Sequence, residues 1–181
     1  PTARVELYTN LSQNYRSITF NDMRITNPSA LIDLNLKDER GYSFDVGLRS
    51  NQTASYRYDV SAFYLNYNNR IGDIISSDSL RPVRLRANIG QAVVQGIEAY
   101  GEIDLMPYIN ATQLDWQIVV FNNLALIHSL YKASKSPGVT GKKVEFVPAV
   151  NLKNGVAVGY KNVKVSFQNT FLSSQFTDAN N

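Results

Sequence analysis

The residues best suited to chemistry are cationic. Arg81, Arg84 and Arg86 stand close together at the start of a long alternating stretch, while Arg16, Arg24, Lys142 and Lys143 occupy other polar connections. A guanidinium presents a planar fork of donors that matches a carboxylate bidentately. The chemistry these groups offer is therefore capture of an anion, and the ordinary alternative is that each is a solvated loop cation of little consequence. Nothing comparable supports catalysis. His128 is the one histidine and lies beside Ser129, but no acid partner or nucleophile motif accompanies the pair, so no enzyme is expected. The carboxylates are scattered over separate segments and there are no cysteines, so neither a metal centre nor a cofactor is expected.

The elements that must position these cations read as β-strands. From Leu85 to Leu105 the chain alternates: Ile97, Ala99, Gly101, Ile103 and Leu105 share one face, and Gly96, Glu98, Tyr100, Glu102 and Asp104 share the other. A period of two with acids on one side defines a two-faced strand. Its length exceeds the usual five or six residues and reaches the about 9–11 needed by a strand crossing a bilayer. The same pattern recurs over Val5–Tyr15, Tyr42–Arg49, a long segment ending near Ile71, a segment from Leu114 toward Leu130, Pro148–Tyr160, and a hairpin partner starting at Val163. The predicted connections alternate in length. Arg16–Arg40, Gly72–Arg84 and Tyr131–Val147 are long and polar; Ser50–Ser55, Met106–Thr112 and Lys161-Asn162 are short. No helical period competes. Such a rhythm predicts an all-β, antiparallel, up-and-down meander of about seven strands, with long loops at one end and short turns at the other.

Composition is consistent with this reading. The hydrophobic fraction is 44% and the formal net charge +3; no apolar run is long enough for a membrane-spanning helix, and no basic helix or aromatic-basic motif points to nucleic acid. Tyr58, Trp116 and Tyr160 share the apolar parity near the short-turn end, and Tyr42 and Phe44 share it near the other. Aromatic girdles at both interfaces have that arrangement in membrane barrels. The chain begins at Pro1 directly before a strand-like run and ends in polar residues, and is read as a piece of a longer protein.

Particular stretches also carry a family resemblance. Leu7-Tyr8-Thr9-Asn10-Leu11-Ser12, Glu39–Arg49, Phe63–Ile71, Asn88-Ile89-Gly90-Gln91-Ala92 leading to Gly96-Ile97-Glu98, and Phe176–Asn181 occur in the order found in the later part of TonB-dependent outer-membrane receptor barrels. Taken together, the chain most resembles ferric-dicitrate receptors of the Bacteroidetes kind. This resemblance implies that residues 1–181 are part of a 22-stranded transmembrane barrel of the bacterial outer membrane, with the plug domain and closing strands lying outside it. It also implies contact with outer-membrane lipid, coupling to the TonB complex through the missing N-terminal part, and import of a ferric chelate, ferric citrate or another siderophore. Ferric citrate is anionic, so Arg84 or Arg86, supported by Arg81, Arg16 and Lys142, are the expected ligand groups; lipopolysaccharide phosphate is the other anion such cations meet. On the polar face, Glu6, Asp45, Arg49, Arg57, Asp59, Glu98, Glu102 and Asp104 would wet the barrel interior or touch the plug. A soluble β-sandwich that binds a ligand or carbohydrate remains the alternative. It would bury one face of every strand, whereas a barrel leaves Val46, Ile97, Ile118 and Val158 to lipid.

Overall fold

The computed structural model describes residues 4–25, 27, 30–51, 55–76, 82–109 and 115–181. Their alternating stretches form strands β1 (Arg4–Arg16), β2 (Ala30–Ile32), β3 (Glu39–Asn51), β4 (Tyr56–Ser76), β5 (Val83–Asp104), β6 (Trp116–Ser134), β7 (Val150–Tyr160) and β8 (Val163–Leu172). All eight belong to one sheet. Seven follow each other in the order β1-β3-β4-β5-β6-β7-β8, every neighbouring pair antiparallel, and the short β2 pairs in parallel with β5. Among the described residues there is no second sheet to form a sandwich.

Register carries the alternation from strand to strand. Leu7 faces Leu48, which faces Val60, and the row continues through Ala99, Leu124 and Leu152 to Phe171. One row away lie Val46, Ala62, Ile97, Leu126 and Val150. These side chains are not buried: Ile97 is 52% exposed, and Val46 and Val158 37% each. Left in water, such a face would cost a soluble domain roughly 25 cal/mol for each Å²; a bilayer removes that cost. Trp116 and Tyr160 pack together on this face with ring centroids 4.7 Å apart, and Tyr42 and Tyr64 stack at 6.1 Å nearer the other end.

The opposite face is polar and tied together by cross-strand hydrogen bonds and ion pairs, although the buried Asn151 Oδ1 accepts none. Arg49 of β3 donates to both carboxylate oxygens of Glu6 of β1 at 3.1 and 2.9 Å, and the Tyr8 hydroxyl donates to Asp59 at 2.6 Å. Arg57 donates to Glu102 at 2.9 Å, and Tyr100 also donates to that carboxylate. Three aromatic rings on this face reach over the glycine directly across the ladder: Tyr8 over Gly47, Phe63 over Gly96 and Phe121 over Gly155. At Gly47 and Gly155 the ring occupies the space of the missing side chain, and a Cβ at Gly155 would sit 2.2 Å from Phe121; at Gly96 the Leu126 carbonyl is nearer still than the ring.

Strand lengths, more than loop lengths, distinguish the two ends. β4 and β5 have 21 and 22 residues, about 70 Å at roughly 3.3 Å per residue and far beyond what a bilayer needs. The expected long connection Gly72–Arg84 is therefore mostly strand, with only residues 77–82 between β4 and β5, a shorter link than residues 105–115 at the other end. The latter holds one helical turn, α1 (Met106–Ile109), whose Met106 N–H donates to Asp104. Tyr131–Ser134, predicted as connection, extends β6, and Arg16, Glu39 and Arg40 likewise lie in strands. Polar residues continue a strand as well as apolar ones do once it has left the apolar layer, so hydropathy hides the true strand end. Arg81, Thr112 and Leu114 lie outside the described residues.

The glycine–ring pairs give a stability contrast. Gly155→Ala in the intact protein is expected to lower stability by about 1–3 kcal/mol through overpacking. Gly101→Ala, where a new Cβ meets nothing within 4 Å, should leave it unchanged. Thermal unfolding in detergent micelles distinguishes the two, and equal midpoints would contradict the packing argument.

Candidate functional site

Beyond the apolar band, the β4–β5 overhang is a two-stranded ribbon between two chain segments. Bulges shift the β4–β5 register between Tyr67, Arg70 and Ile71, with Asn69 in the left-handed region at φ 55, a conformation asparagine tolerates better than most residues. Beyond the bulges Asp73 faces Arg86 and Ile75 faces Arg84 on one side of the ribbon, while Gly72 faces Ala87 and Ile74 faces Leu85 on the other. Segment 17–38 leaves β1 and reaches the free edge of β5, where β2 pairs and Asp33 N–H donates to the Arg86 carbonyl at 2.9 Å. Segment 135–149 packs Val139 and Val144 around Ile89, Ala92 and Tyr131, a small buried core completed by Ala179. Glu145 is buried beneath Gly72 and accepts a 2.7 Å hydrogen bond from Tyr131.

Between segment 17–38 and the ribbon runs an alternating chain of charges. Arg70 approaches Glu39 at 4.0 Å, and Glu39 accepts from Arg16 at 3.1 Å and from the Ile71 N–H at 2.8 Å. Arg16 also grips both oxygens of Asp22 at 2.8 Å. Arg86 approaches Asp22 at 3.4 Å and donates to Asp73 at 3.0 and 3.3 Å, and Arg84 lies 3.6 Å from the same Asp73. The order is Arg70, Glu39, Arg16, Asp22, Arg86, Asp73, Arg84, with an arginine at each end, so the chain as a whole is one charge positive. The acids Asp22, Glu39 and Asp73 are buried, whereas the Arg16, Arg84 and Arg86 side chains keep 43, 49 and 33% of their surface exposed. Buried carboxylates left without these partners would be strongly disfavoured.

The structure thus joins three of the residues that the sequence singled out, Arg16, Arg84 and Arg86, in one network. Lys142 stands elsewhere, donating to the carbonyl of Asn181, and Arg81 is outside the described residues. The acids that organise the arginines were missed; their only sequence signal was an acid for nearly every arginine in the same polar connections. Arg84 and Arg86 also line a cavity of about 300 Å³ with Arg24, Asn21 and Asp73. Arg24 makes no ion pair among the described residues. Arg84 has two hydrogen-bonding or ionic partners, Asp73 and the Thr177 carbonyl at 3.0 Å, so several of its five N–H donors are left for a ligand. His128 and Ser129 are successive strand residues on opposite faces, His128 exposed and Ser129 buried, and cannot act as a pair.

Residues 1–181 match the family model described as TonB dependent receptor-like, β-barrel. The chain is similar in fold to the copper transporter OprC, with a TM-score of 0.68, 13% identity, and coverage of 99% of this chain and 26% of that one. It is equally similar to the crystal structure of the ferric citrate transporter FecA in the unliganded form, at a TM-score of 0.68, 19% identity, and coverage of 98% and 24%. The chain spans about a quarter of the length of each. No curated protein matches it.

The charge chain makes segment 17–38 sensitive to acid. Burial pushes the Asp22 carboxyl up, but hydrogen bonds from the Thr19 hydroxyl and N–H and from Arg16 outweigh it, so the group titrates below its ordinary value. A depressed carboxylate stabilises the fold fully above its ordinary pKa and loses that contribution as pH falls through the depressed one, here below about pH 4. A spin label at Leu34, 98% exposed on this segment, should keep the same mobility from pH 7 to 5 and loosen below about pH 4. Asp22→Asn should loosen it at every pH; unchanged mobility in that variant would contradict the anchoring role.

Proposed function

Because the chain belongs to the TonB-dependent receptor-like β-barrel family, we propose that it forms part of the wall of a bacterial outer-membrane receptor that imports an anionic iron chelate, ferric citrate or another siderophore. In this reading the apolar face meets outer-membrane lipid and the polar face turns to the lumen of a 22-stranded barrel, where Glu6, Asp45, Glu98 and Glu102 face a plug. Import is driven through the TonB complex. The chain's own part is to shape the outer mouth.

The observation that carries the reading is the gathering of Arg24, Arg84 and Arg86 around one cavity beside a charge chain that ends in arginine. Arg84 and Arg86 are the capture groups, with Arg81 three residues before Arg84 in the sequence; Arg16 holds Asp22 and Glu39 in place, and Lys142, apart from this cavity, adds to the overall positive charge. Ferric citrate presents carboxylates, which suit guanidinium forks. FecA is titled a ferric citrate transporter, which agrees with this substrate class. OprC is titled a copper transporter, but a soft cation calls for thioether or imidazole ligands, whereas this cavity presents guanidinium groups.

Arg24→Gln tests the proposal cleanly because no described acid depends on Arg24. In the intact receptor the substitution should weaken ferric citrate binding by about tenfold, the loss of one charge-assisted contact, with heat stability unchanged. Adding Arg84→Gln should weaken it further. Binding and uptake of labelled ferric citrate that match the parent in both variants would sink the proposal.

A further inference from the structure

On the apolar face of β5 to β8, between the Trp116–Tyr160 pair and the Gln95–His128 pair near the other end, one row is polar. Tyr58 faces Gly101, Gly101 faces Asn122, Asn122 faces Asn154, and Asn154 faces Asn169, in unbroken register from β4 to β8. All share the parity of the apolar rows. On one side of this row lie Ile103, Val120, Val156 and Phe167; on the other lie Ala99, Leu124, Leu152 and Phe171. Asn122 donates to Asn154, Asn122 and Asn169 are exposed, and the Gly101 position opens onto empty space. Three amides and a notch thus form a polar strip between aliphatic and aromatic rows of β5 to β8.

Its depth can be read from the aromatic pair. Trp116 faces Tyr160 at the hairpin end of β6 and β7, and the Asn122–Asn154 pair lies farther up the same two strands, about 20 Å along them at roughly 3.3 Å per residue. With the tilt of about 40° usual in such barrels, this is about 15 Å in depth, half of the roughly 30 Å hydrocarbon core. The strip therefore lies near the bilayer midplane. Lipid tails offer nothing to an amide there, whereas a protein neighbour with polar groups at the same depth does.

We propose that this strip is an intramembrane interface between two copies of the receptor. A primary amide is both donor and acceptor, so a patch of three asparagines is complementary to itself, as a two-fold interface requires. Copies inserted in the same orientation are related by an axis along the membrane normal, which brings equal depths together and sets amide against amide. The Gly101 notch gives room for side chains of the opposing strip, and the flanking apolar rows seal it. The inference rests on the apolar face being lipid-facing, as in the function proposed above.

The test uses cysteine cross-linking of the intact receptor in its native membrane; this chain has no cysteine of its own. Asn154→Cys or Asn169→Cys with a short bismaleimide should give a homodimer, verified by mass spectrometry, at least fivefold more efficiently than Leu48→Cys on the same face at the β3 end. With Phe167→Cys as reporter, Asn169→Leu should reduce the dimer severalfold without lowering the barrel's thermal midpoint, and Asn122→Leu with Asn154→Leu should abolish it. Equal cross-linking at Leu48→Cys, an adduct with a different protein, or an undiminished dimer in the leucine variants would each overturn the proposal. If alkaline carbonate releases the receptor from the membrane, the lipid-facing reading fails and this inference with it. If the receptor is retained but shows no dimer, only the interface is refuted.

Discussion

Everything in this structure depends on an antiparallel ladder that, up to the bulges near Tyr67–Ile71 and Gln91–Ala92, holds the same parity across seven strands. A backbone in an apolar layer has no water to satisfy its N–H and C=O groups, and inter-strand pairing is the one way for an extended chain to do so. The ladder also fixes which residues share a face, because a slip of one residue would turn every side chain over. From Leu7 to Phe171 no such slip occurs. The result is one face of exposed aliphatic and aromatic groups and another of cross-strand ion pairs and rings laid over glycines, two surfaces suited to different solvents.

Past the apolar band the same ladder needs other ties. The β4–β5 ribbon lies beyond the apolar rows, and segments 17–38 and 135–149 take its two sides. Buried acids and half-exposed arginines hold the first side; Ile89, Tyr131, Val139 and Val144 hold the second. Because the charge chain begins and ends in arginine, the arrangement that anchors the loop also leaves a positive rim. In the proposed function, support and recognition are carried by the same side chains, and Arg24 stands apart from the others in having no supporting role among the described residues.

Face parity was legible in the sequence because it is local: two adjacent residues suffice to predict opposite faces, and Ile97–Leu105 alone defines a strand. Strand ends were not, since hydropathy changes where the chain leaves the apolar layer, while the hydrogen bonds of β4 and β5 continue to Ser76 and from Val83. The arginines were legible by type, but their partners Asp22, Glu39 and Asp73 are far from one another in sequence and meet only through segment 17–38 folding across to β5. Alternation tolerates an occasional polar residue, so Asn122, Asn154 and Asn169 each passed as noise until register aligned them.

The assignment of the two faces is tested most directly by spin labels placed singly at residues 97 to 104 of β5 in the intact receptor, reconstituted in lipid. Collision with dissolved oxygen, which concentrates in the hydrocarbon, and with a water-soluble nickel chelate reports the solvent at each site. Labels at Ile97, Ala99, Gly101 and Ile103 are predicted to be oxygen-accessible and nickel-protected. Labels at Glu98, Tyr100, Glu102 and Asp104 should show no such preference for oxygen. Nickel access at the odd positions equal to that at the even ones, or a profile without the two-residue period, would contradict the account.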